Sequence, residues 1–368
     1  MSFRMNRRRF MRAASSAVTL SALPSFGSLA SAQSSGELRV RVSGGAYGKA
    51  IIDAYVKPFE AETGIKVRPI TDWTTLAQIE LMQRTNSVSV DVGLLDQATA
   101  LVADGKGYLE KVDYSIYKQD ELDGIVDYCK QPFGVAAVIY SFNMVYNTEK
   151  YPADRPRPTS WAEFWDVKKF PAIRTLASGQ TGSQGPWEEA LLADGVAANA
   201  LYPMSIDRVF ASLDKIKPHI RKWWTTGSEV QQIMREKAAD LEQSYDGRAI
   251  QLIDESAPLE INRNQAKLTW DYWMILKGSP NVRNAQRFVE FATRADRQAA
   301  FAQLFPIGPT NRNAFTLLPE KAARKLATHP DYMASSYPMN AKWYAEVGQD
   351  GMSNTQRLIK RWNEWILS

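Results

Sequence analysis

Residues 37–64 read ELRVRVSGGAYGKAIIDAYVKPFEAETG, and their periodicity changes at the pair of adjacent glycines. Before the glycines, Leu38, Val40 and Val42 alternate with polar residues, which is the two-residue repeat of a strand with one buried face. After them, apolar residues recur at helical spacing as far as Gly64, which indicates a helix that ends there. A strand that runs through a glycine loop into a helix is the building unit of α/β folds.

The same unit recurs along the chain. The strand-like IKVRPITD (65–72) precedes the helical TLAQIELMQR (75–84), and VDVGLLD (90–96) precedes TALVADG (99–105). Strands that alternate with helices predict a mostly parallel sheet. With 368 residues, the chain has enough length for two such lobes.

The first residues predict an export signal. MNRRRFMRAASS (5–16) places arginines ahead of Phe10, and a short apolar stretch then leads to the small residues Ala30-Ser31-Ala32. Paired arginines before a phenylalanine favour the twin-arginine route. Serines and Pro24 interrupt the apolar stretch, which falls short of the roughly 20 apolar residues of a membrane span. We therefore predict a cleaved twin-arginine signal over 1–32, a periplasmic location and no stable membrane insertion.

The charge and the scarce metal-binding residues exclude several classes of protein. Residues 1–32 contain five arginines and no acid, so they account for the whole formal net charge of +5. The remaining chain is near neutral, which gives no reason to expect a nucleic-acid partner. Cys129 is the only cysteine, and His219 and His329 are the only histidines. We expect no disulfide, no iron–sulfur cluster, no structural metal and no cofactor.

RKWWTTGS (221–228) places two tryptophans at the end of a predicted strand. In α/β sheets, ligands bind outside the carboxyl ends of the strands. Neighbouring residues of a strand point to opposite faces, so we expect one of Trp223 and Trp224 to pack beneath the sheet and the other to line a pocket. Ser228, followed by Gln231, predicts a capping box for the next helix.

Aromatic and polar residues recur at other predicted strand ends, a composition that suits a cleft for a small organic ligand. The residues expected to line this cleft are Tyr47, Trp73, Asp96, Gln97, Trp223, Trp224, Tyr245, Asp246, Arg248, Trp270, Asp271 and Tyr272. Plainer roles stay open for three of them. Asp96 and Asp246 could each cap a helix, and Arg248 could be an ordinary exposed arginine.

Six stretches carry a resemblance to a known family through their order and spacing: PFEAETGIKV, YNTEKY, PTSWAEFWD, EALLADG, YDGRA and FPIGPTN. From about Glu37 onward the chain resembles the spermidine/putrescine-type extracellular solute-binding proteins of ABC importers. The resemblance implies the two-lobed α/β fold of type II periplasmic binding proteins, with a ligand cleft between the lobes. It places 37–140 plus 271–314 in lobe 1 and 141–270 plus 315–368 in lobe 2. It also implies a hinged clamp that closes on a small-molecule solute and then meets the ABC permease subunits. We expect a monomer.

The chain departs from the spermidine binders at two places. Their acidic residues ahead of one helix correspond here to QTGSQGPW, with no acid before Glu188. Their Trp-x-Asp on a late crossing strand is here Trp270-Asp271-Tyr272, and a one-residue change reverses the face of a strand. The comparison carries Trp270 over as a pocket wall and leaves Asp271 open. Arg248 offers a partner for a carboxylate. We therefore expect a small amino-bearing solute, polyamine-like or ω-amino-acid-like.

Two other classes of function would need residues in other patterns. A ferric-iron or other metal-binding protein of the same fold would need clustered tyrosine, histidine and carboxylate ligands, and the chain has no adjacent tyrosine pair. A periplasmic enzyme would need a nucleophile–base pair or paired carboxylates. Glu188 and Glu189 are adjacent on a predicted helix, so we expect their side chains to diverge. The sequence therefore predicts that the protein is not an enzyme.

Overall fold

A computed structural model of the protein describes residues 37–72 and 74–368. The predicted signal over 1–32 and the predicted cleft residue Trp73 lie outside the described residues. No helix within the described part of the chain combines the length and the apolar character needed to cross a membrane.

The strands predicted near the N-terminus and around 220–224 are present. The strands are β1 (Leu38–Arg41), β2 (Val67–Ile70), β3 (Val92–Asp96), β4 (Lys130–Gln131), β5 (Gly134–Asn147), β6 (Arg174–Ala177), β7 (Ile220–Trp224), β8 (Leu241–Tyr245), β9 (Leu259–Ile275) and β10 (Tyr337–Pro338).

Helices follow most of these strands. They are α1 (Gly45–Ile51), α2 (Lys57–Thr63), α3 (Leu76–Arg84), α4 (Gln97–Gly105), α5 (Gln119–Gly124), α6 (Trp161–Trp165), α7 (Trp187–Ala193), α8 (Ile206–Ile216), α9 (Gly227–Arg235), α10 (Asp246–Asp254), α11 (Val282–Ala292), α12 (Ala295–Leu304), α13 (Glu320–Ala323), α14 (Pro330–Met333), α15 (Ala341–Ala345) and α16 (Asn354–Trp365). A π-helical segment, Ile52–Val56, joins α1 to α2.

The strands form one sheet in the order β2-β1-β3-β9-β5-β8-β6-β7, with β10 on β9 and β4 on β5. β1, β2 and β3 pair in parallel on one side, and β6, β7 and β8 pair in parallel on the other. The long strands β5 and β9 lie between the two groups and run antiparallel to each other and to their outer neighbours. The predicted parallel sheet is therefore confirmed within each group, and an antiparallel pair connects the groups.

Two large hydrophobic cores lie against this sheet. One contains Val40, Phe59 and Trp273, all almost without solvent exposure. The other contains Trp161 and Trp362. Burial of apolar side chains on both groups of strands supplies the main favourable free energy of folding. The sheet is thus held from two separate apolar centres.

The helix after β7 begins earlier than its predicted capping box. Thr226, not Ser228, is the N-cap of α9, and its hydroxyl accepts the N–H of Glu229 at 3.1 Å. The Glu229 carboxylate in turn accepts the N–H and the hydroxyl of Thr225 at 2.7 and 3.0 Å. A threonine two residues before Ser228 therefore satisfies the first turn, and the Ser228–Gln231 prediction is wrong.

Candidate functional site

A chain of side-chain hydrogen bonds crosses the centre of the molecule. The hydroxyl of Tyr140 in β5 donates to Asp271 Oδ1 in β9 at 2.8 Å. Gln184 Nε2 donates to the same Tyr140 oxygen at 2.9 Å, and Tyr245 at the end of β8 donates to Gln184 Oε1 at 2.8 Å. Because every donor has an acceptor, the chain fixes the orientation of the Asp271 carboxyl group.

Two predicted residues at the end of β3 join this region. Asp96 Oδ1 caps α4 by accepting the N–H groups of Ala98 and Thr99, and it also accepts the hydroxyl of Ser183 at 3.0 Å. Gln97 Nε2 donates to Thr269 Oγ1 at 3.1 Å. The cap suggested for Asp96 is therefore present, and the same carboxylate contacts a side chain from the other predicted lobe.

Arg248 is buried, with 9% of its surface exposed. Its Nη1 donates to Gln231 Oε1 at 3.0 Å, and its guanidinium lies 5.3 Å from the centre of the Phe305 ring. Within the described residues no carboxylate lies at ion-pair distance from Arg248. An arginine at the surface would instead be hydrated by solvent. The planar guanidinium therefore keeps hydrogen-bonding capacity for a further acceptor.

Glycines at the starts of α1 and α9 surround this guanidinium. A Cβ atom on Gly227 would lie 3.0 Å from Arg248 Nε, and one on Gly45 would lie 3.8 Å from Nη1 and 3.2 Å from the Ser228 hydroxyl. Gly45 also has a φ of +66°, which favours glycine. The two glycines thus let the starts of α1 and α9, which follow strands of the two parallel groups, approach Arg248. Backbone N–H groups at a helix start favour an anion.

An acidic side chain, Asp271, and a basic side chain, Arg248, act on the same tyrosines of the site. Burial raises the pKa of Asp271 to about 7, against the opposing effects of the Tyr140 hydroxyl and Arg41. Burial also raises the pKa of Tyr245 and Tyr47, the charge of Asp271 raises both further, and the guanidinium of Arg248 lowers both. Both phenol groups therefore lie within the field of one acidic and one basic side chain.

Sequence reasoning missed several residues of this cluster. Arg41, almost fully buried, is the last residue of β1, and its position at a strand end could have identified it. Burial lowers the pKa of Arg41, and the charge of Asp271 opposes this effect. Ser183 and Gln184 lie in QTGSQGPW, which we had noted only for its lack of acids. Tyr140 lies inside a wholly buried strand and carries no sequence signal of a site.

Both members of the tryptophan pair pack against other aromatic rings, with Trp224 fully buried and Trp223 partly buried. Trp223 contacts Trp362 and Trp365 of α16, with ring centres 5.0 and 5.7 Å apart. Trp224 is fully buried, donates from Nε1 to the carbonyl of Gln243 at 2.9 Å, and lies 5.4 Å from the ring of Tyr245. The structure therefore brings Trp224 beneath a residue of the cluster and places Trp223 against the C-terminal helix.

Asp271 and its two strand neighbours, Trp270 and Tyr272, lie on opposite faces of β9. Asp271 joins the cluster, so its strand neighbours Trp270 and Tyr272 point to the other face. The Trp270 ring lies 4.9 Å from that of Tyr128, and the Tyr272 hydroxyl donates to the Tyr128 carbonyl at 3.3 Å. Trp270 and Tyr272 therefore contact Tyr128, whereas Asp271 contacts Tyr140.

Asp246 and the glutamate pair have internal partners. Asp246 is fully buried at the start of α10, accepts the N–H of Ser141 at 3.2 Å and lies 3.6 Å from Arg263. Glu188 and Glu189 were expected to diverge, yet both accept from Lys267 Nζ, at 2.9 and 3.1 Å. Their adjacent Cα positions do not prevent convergence, because both side chains are long enough to reach one ammonium group.

Two further observations concern the described residues as a whole. No group of three or more His, Cys, Asp or Glu side chains among them is placed to hold a metal ion. A surface depression of about 700 Å³ lies between Leu101, Tyr202 and Trp343, and it shares no residue with the cluster around Asp271 and Arg248. The depression and the polar cluster are therefore separate features.

Comparisons with known proteins identify the family. Residues 54–330 match the family model of the bacterial extracellular solute-binding protein. A gamma-aminobutyric acid-binding protein of Pseudomonas aeruginosa is 31% identical over 92% of this chain and 93% of its own length.

Solved structures agree with this assignment. The crystal structure of an ABC transporter from Rhodopseudomonas palustris is 30% identical, with a TM-score of 0.82, and covers 90% of this chain and 99% of its own. The structure of the Atu4243 GABA receptor is 29% identical, with a TM-score of 0.79, and covers 90% of this chain and 98% of its own. The fold is the two-lobed α/β fold of periplasmic binding proteins. The chain belongs to the family of bacterial extracellular solute-binding proteins.

Proposed function

We propose that this protein is the periplasmic solute-binding component of an ABC importer and that its ligand is a zwitterionic ω-amino acid such as γ-aminobutyrate. The observation that carries the proposal is that Asp271 and Arg248, of opposite charge, both act on Tyr47 and Tyr245. A ligand with one ammonium and one carboxylate complements such a pair without leaving a buried charge unpaired.

The carboxylate end of the ligand is assigned to Arg248. A guanidinium binds a carboxylate through two parallel hydrogen bonds, and the described residues supply no competing carboxylate at this position. The glycines at the starts of α1 and α9 leave room for an anion beside the guanidinium. The hydroxyl of Ser228 is a further donor at the same place.

The ammonium end is assigned to Asp271. The Asp271 carboxyl group is oriented by Tyr140 and is surrounded by tyrosine rings, which attract a cation through their faces. Tyr47 and Tyr245 supply the aromatic walls. Asp271 thereby takes the role that the sequence comparison had left open.

A polyamine such as spermidine or putrescine is the second candidate, and the sequence resemblance favours it. A polyamine needs an acidic partner at each end, and the buried Arg248 repels a second ammonium. The names of two relatives support an amino-acid ligand, since both proteins are named for γ-aminobutyrate. Binding of iron, or catalysis, has no supporting observation in the cluster.

Titration calorimetry tests the proposal with five compounds: γ-aminobutyrate, butylamine, butyrate, putrescine and spermidine. We expect γ-aminobutyrate to bind tightest, because only it satisfies both charges. Butylamine and butyrate each lack one end and isolate the two assignments. Tighter binding of spermidine or putrescine would restore the polyamine assignment.

Residues 1–32 are proposed to direct export by the twin-arginine route. Replacement of Arg8 and Arg9 by lysine keeps the positive charge but removes the paired arginines. We expect the variant to stay in the cytoplasm while the parent reaches the periplasm, as measured by cell fractionation. Equal export of both forms would assign the signal to the general secretory route.

A further inference from the structure

A fully buried ion cluster lies behind the cleft. Lys267 Nζ, in β9, donates to Glu188 Oε2, Glu189 Oε2 and the carbonyl of Gly185 at 2.9, 3.1 and 2.8 Å. The side chains of all three charged residues have no solvent exposure. Apolar residues of similar volume often replace such clusters without loss of stability. Stability alone therefore gives no reason for these charges.

The cluster is attached to the segment 179–186, which carries Ser183 and Gln184 into the cleft. This segment contains a short 3₁₀-helix with a left-handed Gly182, so regular helical hydrogen bonds do not fix its path. Two of its carbonyl groups are held from outside: Trp187 Nε1 donates to Gly182 at 2.8 Å, and Lys267 donates to Gly185. The position of Gln184 therefore depends on the ammonium of Lys267.

One face of β9 connects the cluster to the cleft. Lys267, Thr269 and Asp271 are two residues apart, so they project from the same face of the strand. Asp271 holds Tyr140, Thr269 holds Gln97, and Lys267 holds the 179–186 segment. The same face of β9 thus contacts both Tyr140, through Asp271, and the 179–186 segment, through Lys267.

We propose that Lys267 and Glu188 are positioning residues, which fix the 179–186 segment and thereby set ligand affinity through Ser183 and Gln184. The proposal rests on the proposed function in one respect, namely that Ser183 and Gln184 belong to the ligand site.

The two glutamates have different roles within the cluster. Glu188 accepts from Lys267 and from the hydroxyls of Tyr202 and Tyr344, so three donors converge on its carboxyl group. Glu189 accepts only from Lys267, and its Oε1 has no hydrogen-bond partner in the described structure. Burial raises the pKa of Glu189 to about 7, against the opposing effect of Lys267 and with the charge of Glu188 adding to the rise. Glu189 is thus the carboxyl group that takes up a proton.

Paired substitutions separate these roles. Glu188→Gln removes one carboxyl partner of Lys267, and we expect amide hydrogen exchange at 179–187 in the unliganded protein to become at least tenfold faster. The Kd for γ-aminobutyrate is expected to rise at least tenfold. Glu189→Gln replaces a protonated carboxyl by an amide of the same shape, so at pH 6 both quantities should stay within about twofold of the parent.

Ser212→Ala is the matched control. Its hydroxyl donates to the carbonyl of Ala190 at 2.7 Å, so the change removes a buried hydrogen bond from α7 without touching the 179–186 segment. It should lower the melting temperature and leave exchange at 179–187 unchanged. If Glu188→Gln does not fold, the triple change Lys267→Met, Glu188→Gln and Glu189→Gln removes all the charges together at similar volume.

Two results would overturn the positioning role. One is a folded variant without the cluster's charges that keeps the parent's exchange rates at 179–187. The other is faster exchange there with an unchanged Kd. If the parent itself does not bind γ-aminobutyrate, the proposed function fails, and the exchange measurement still decides whether the cluster holds the segment.

Discussion

Arg248 and Asp271 illustrate what single residues decide in this protein. Arg248→Ala is expected to weaken γ-aminobutyrate by roughly 10- to 150-fold, since a hydrogen bond to a charged group contributes about 1.5–3 kcal/mol. Butylamine, which lacks a carboxylate, should lose little affinity. Arg248→Lys restores the charge without the two parallel hydrogen bonds and should recover only part of the loss.

The control for Arg248 is Arg221→Ala, at an exposed position on β7. Calorimetry on the three variants and the parent provides the comparison. Affinity for γ-aminobutyrate that is indifferent to Arg248 would remove this residue from the carboxylate site.

We expect Asp271 to release a proton when γ-aminobutyrate binds. Its pKa is raised to about 7, chiefly by burial, so below pH 7 the unliganded carboxyl group is largely protonated. An ammonium ligand favours the ionised form, so binding at pH 6 should release up to one proton, and the release should vanish above about pH 8.5. Calorimetry in two buffers of different ionisation enthalpy measures it. Asp271→Asn should abolish the release, and an unchanged release would place the titrating group elsewhere.

The same shift fixes the sign of the stability effect. A carboxyl group whose folded-state pKa lies above its unfolded value stabilises the protein at low pH. Without ligand, the contribution of Asp271 should therefore be full below about pH 4 and lost as pH rises through 7.

Strand-end position found some of the cluster from sequence but not its interior members. Asp96 and Tyr245 end β3 and β8, and Arg248 lies three residues after β8, so the rule for α/β sheets located them. Tyr140 lies in the middle of a fully buried strand, where a tyrosine is an ordinary core residue. Gln184 reaches the cleft only through the path of an irregular segment, which composition does not specify.

At the scale of elements, we expect different outcomes for substitutions of Trp223 and Trp224, because the two rings of β7 contact different elements. Trp224→Ala should lower the free energy of unfolding by about 3–5 kcal/mol, because a fully buried ring is lost. It should also weaken ligand binding, because Trp224 supports Tyr245. Trp223→Ala should loosen α16 and leave the Kd unchanged.

Chemical denaturation and calorimetry together check the pair. Trp224→Phe is the conservative control, since it keeps an aromatic ring next to Tyr245 while it loses the hydrogen bond to Gln243 and part of the buried ring volume. A larger loss of affinity for Trp223→Ala than for Trp224→Ala would return Trp223 to the cleft.

Periodicity predicted the outer strands and helices but not the faces of the central strands. Alternation placed β1 correctly, and the short strand-like stretches at β2 and β3 were also placed correctly, although β3 is buried throughout. On β5, both sides are covered, so alternation is absent. A register shift between Ala136 and Val138 also makes these residues pair with the strand neighbours Tyr272 and Asp271. Such a bulge reverses faces, and no residue type in the sequence marks it.

At the scale of the whole molecule, both apolar cores include residues of the central strand β5, and two of the contacts between the predicted lobes are polar. Ser183 donates to Asp96, and Gln184 donates to Tyr140. Each such hydrogen bond contributes only about 0.5–1.5 kcal/mol, whereas a near-complete shift between two states needs about 5.5 kcal/mol of differential binding. We propose that a bound ligand adds to these contacts by bridging Asp271 and Arg248 and so favours a closed arrangement of the lobes.

Closure on the ligand is therefore predicted to be measurable. Saturating γ-aminobutyrate should reduce the radius of gyration in small-angle scattering and change the tryptophan fluorescence. Ser183→Ala removes one contact across the cleft and should raise the Kd by about 2- to 10-fold. It should not alter the compact form reached at saturation, because the ligand still bridges the two charged groups. Thr181→Ala is the matched control in the same segment, since its hydroxyl bonds only locally, to the carbonyl of Ser178. If saturating ligand binds without compaction, the hinged clamp is wrong, and the cluster is a preformed site on which closure has no influence.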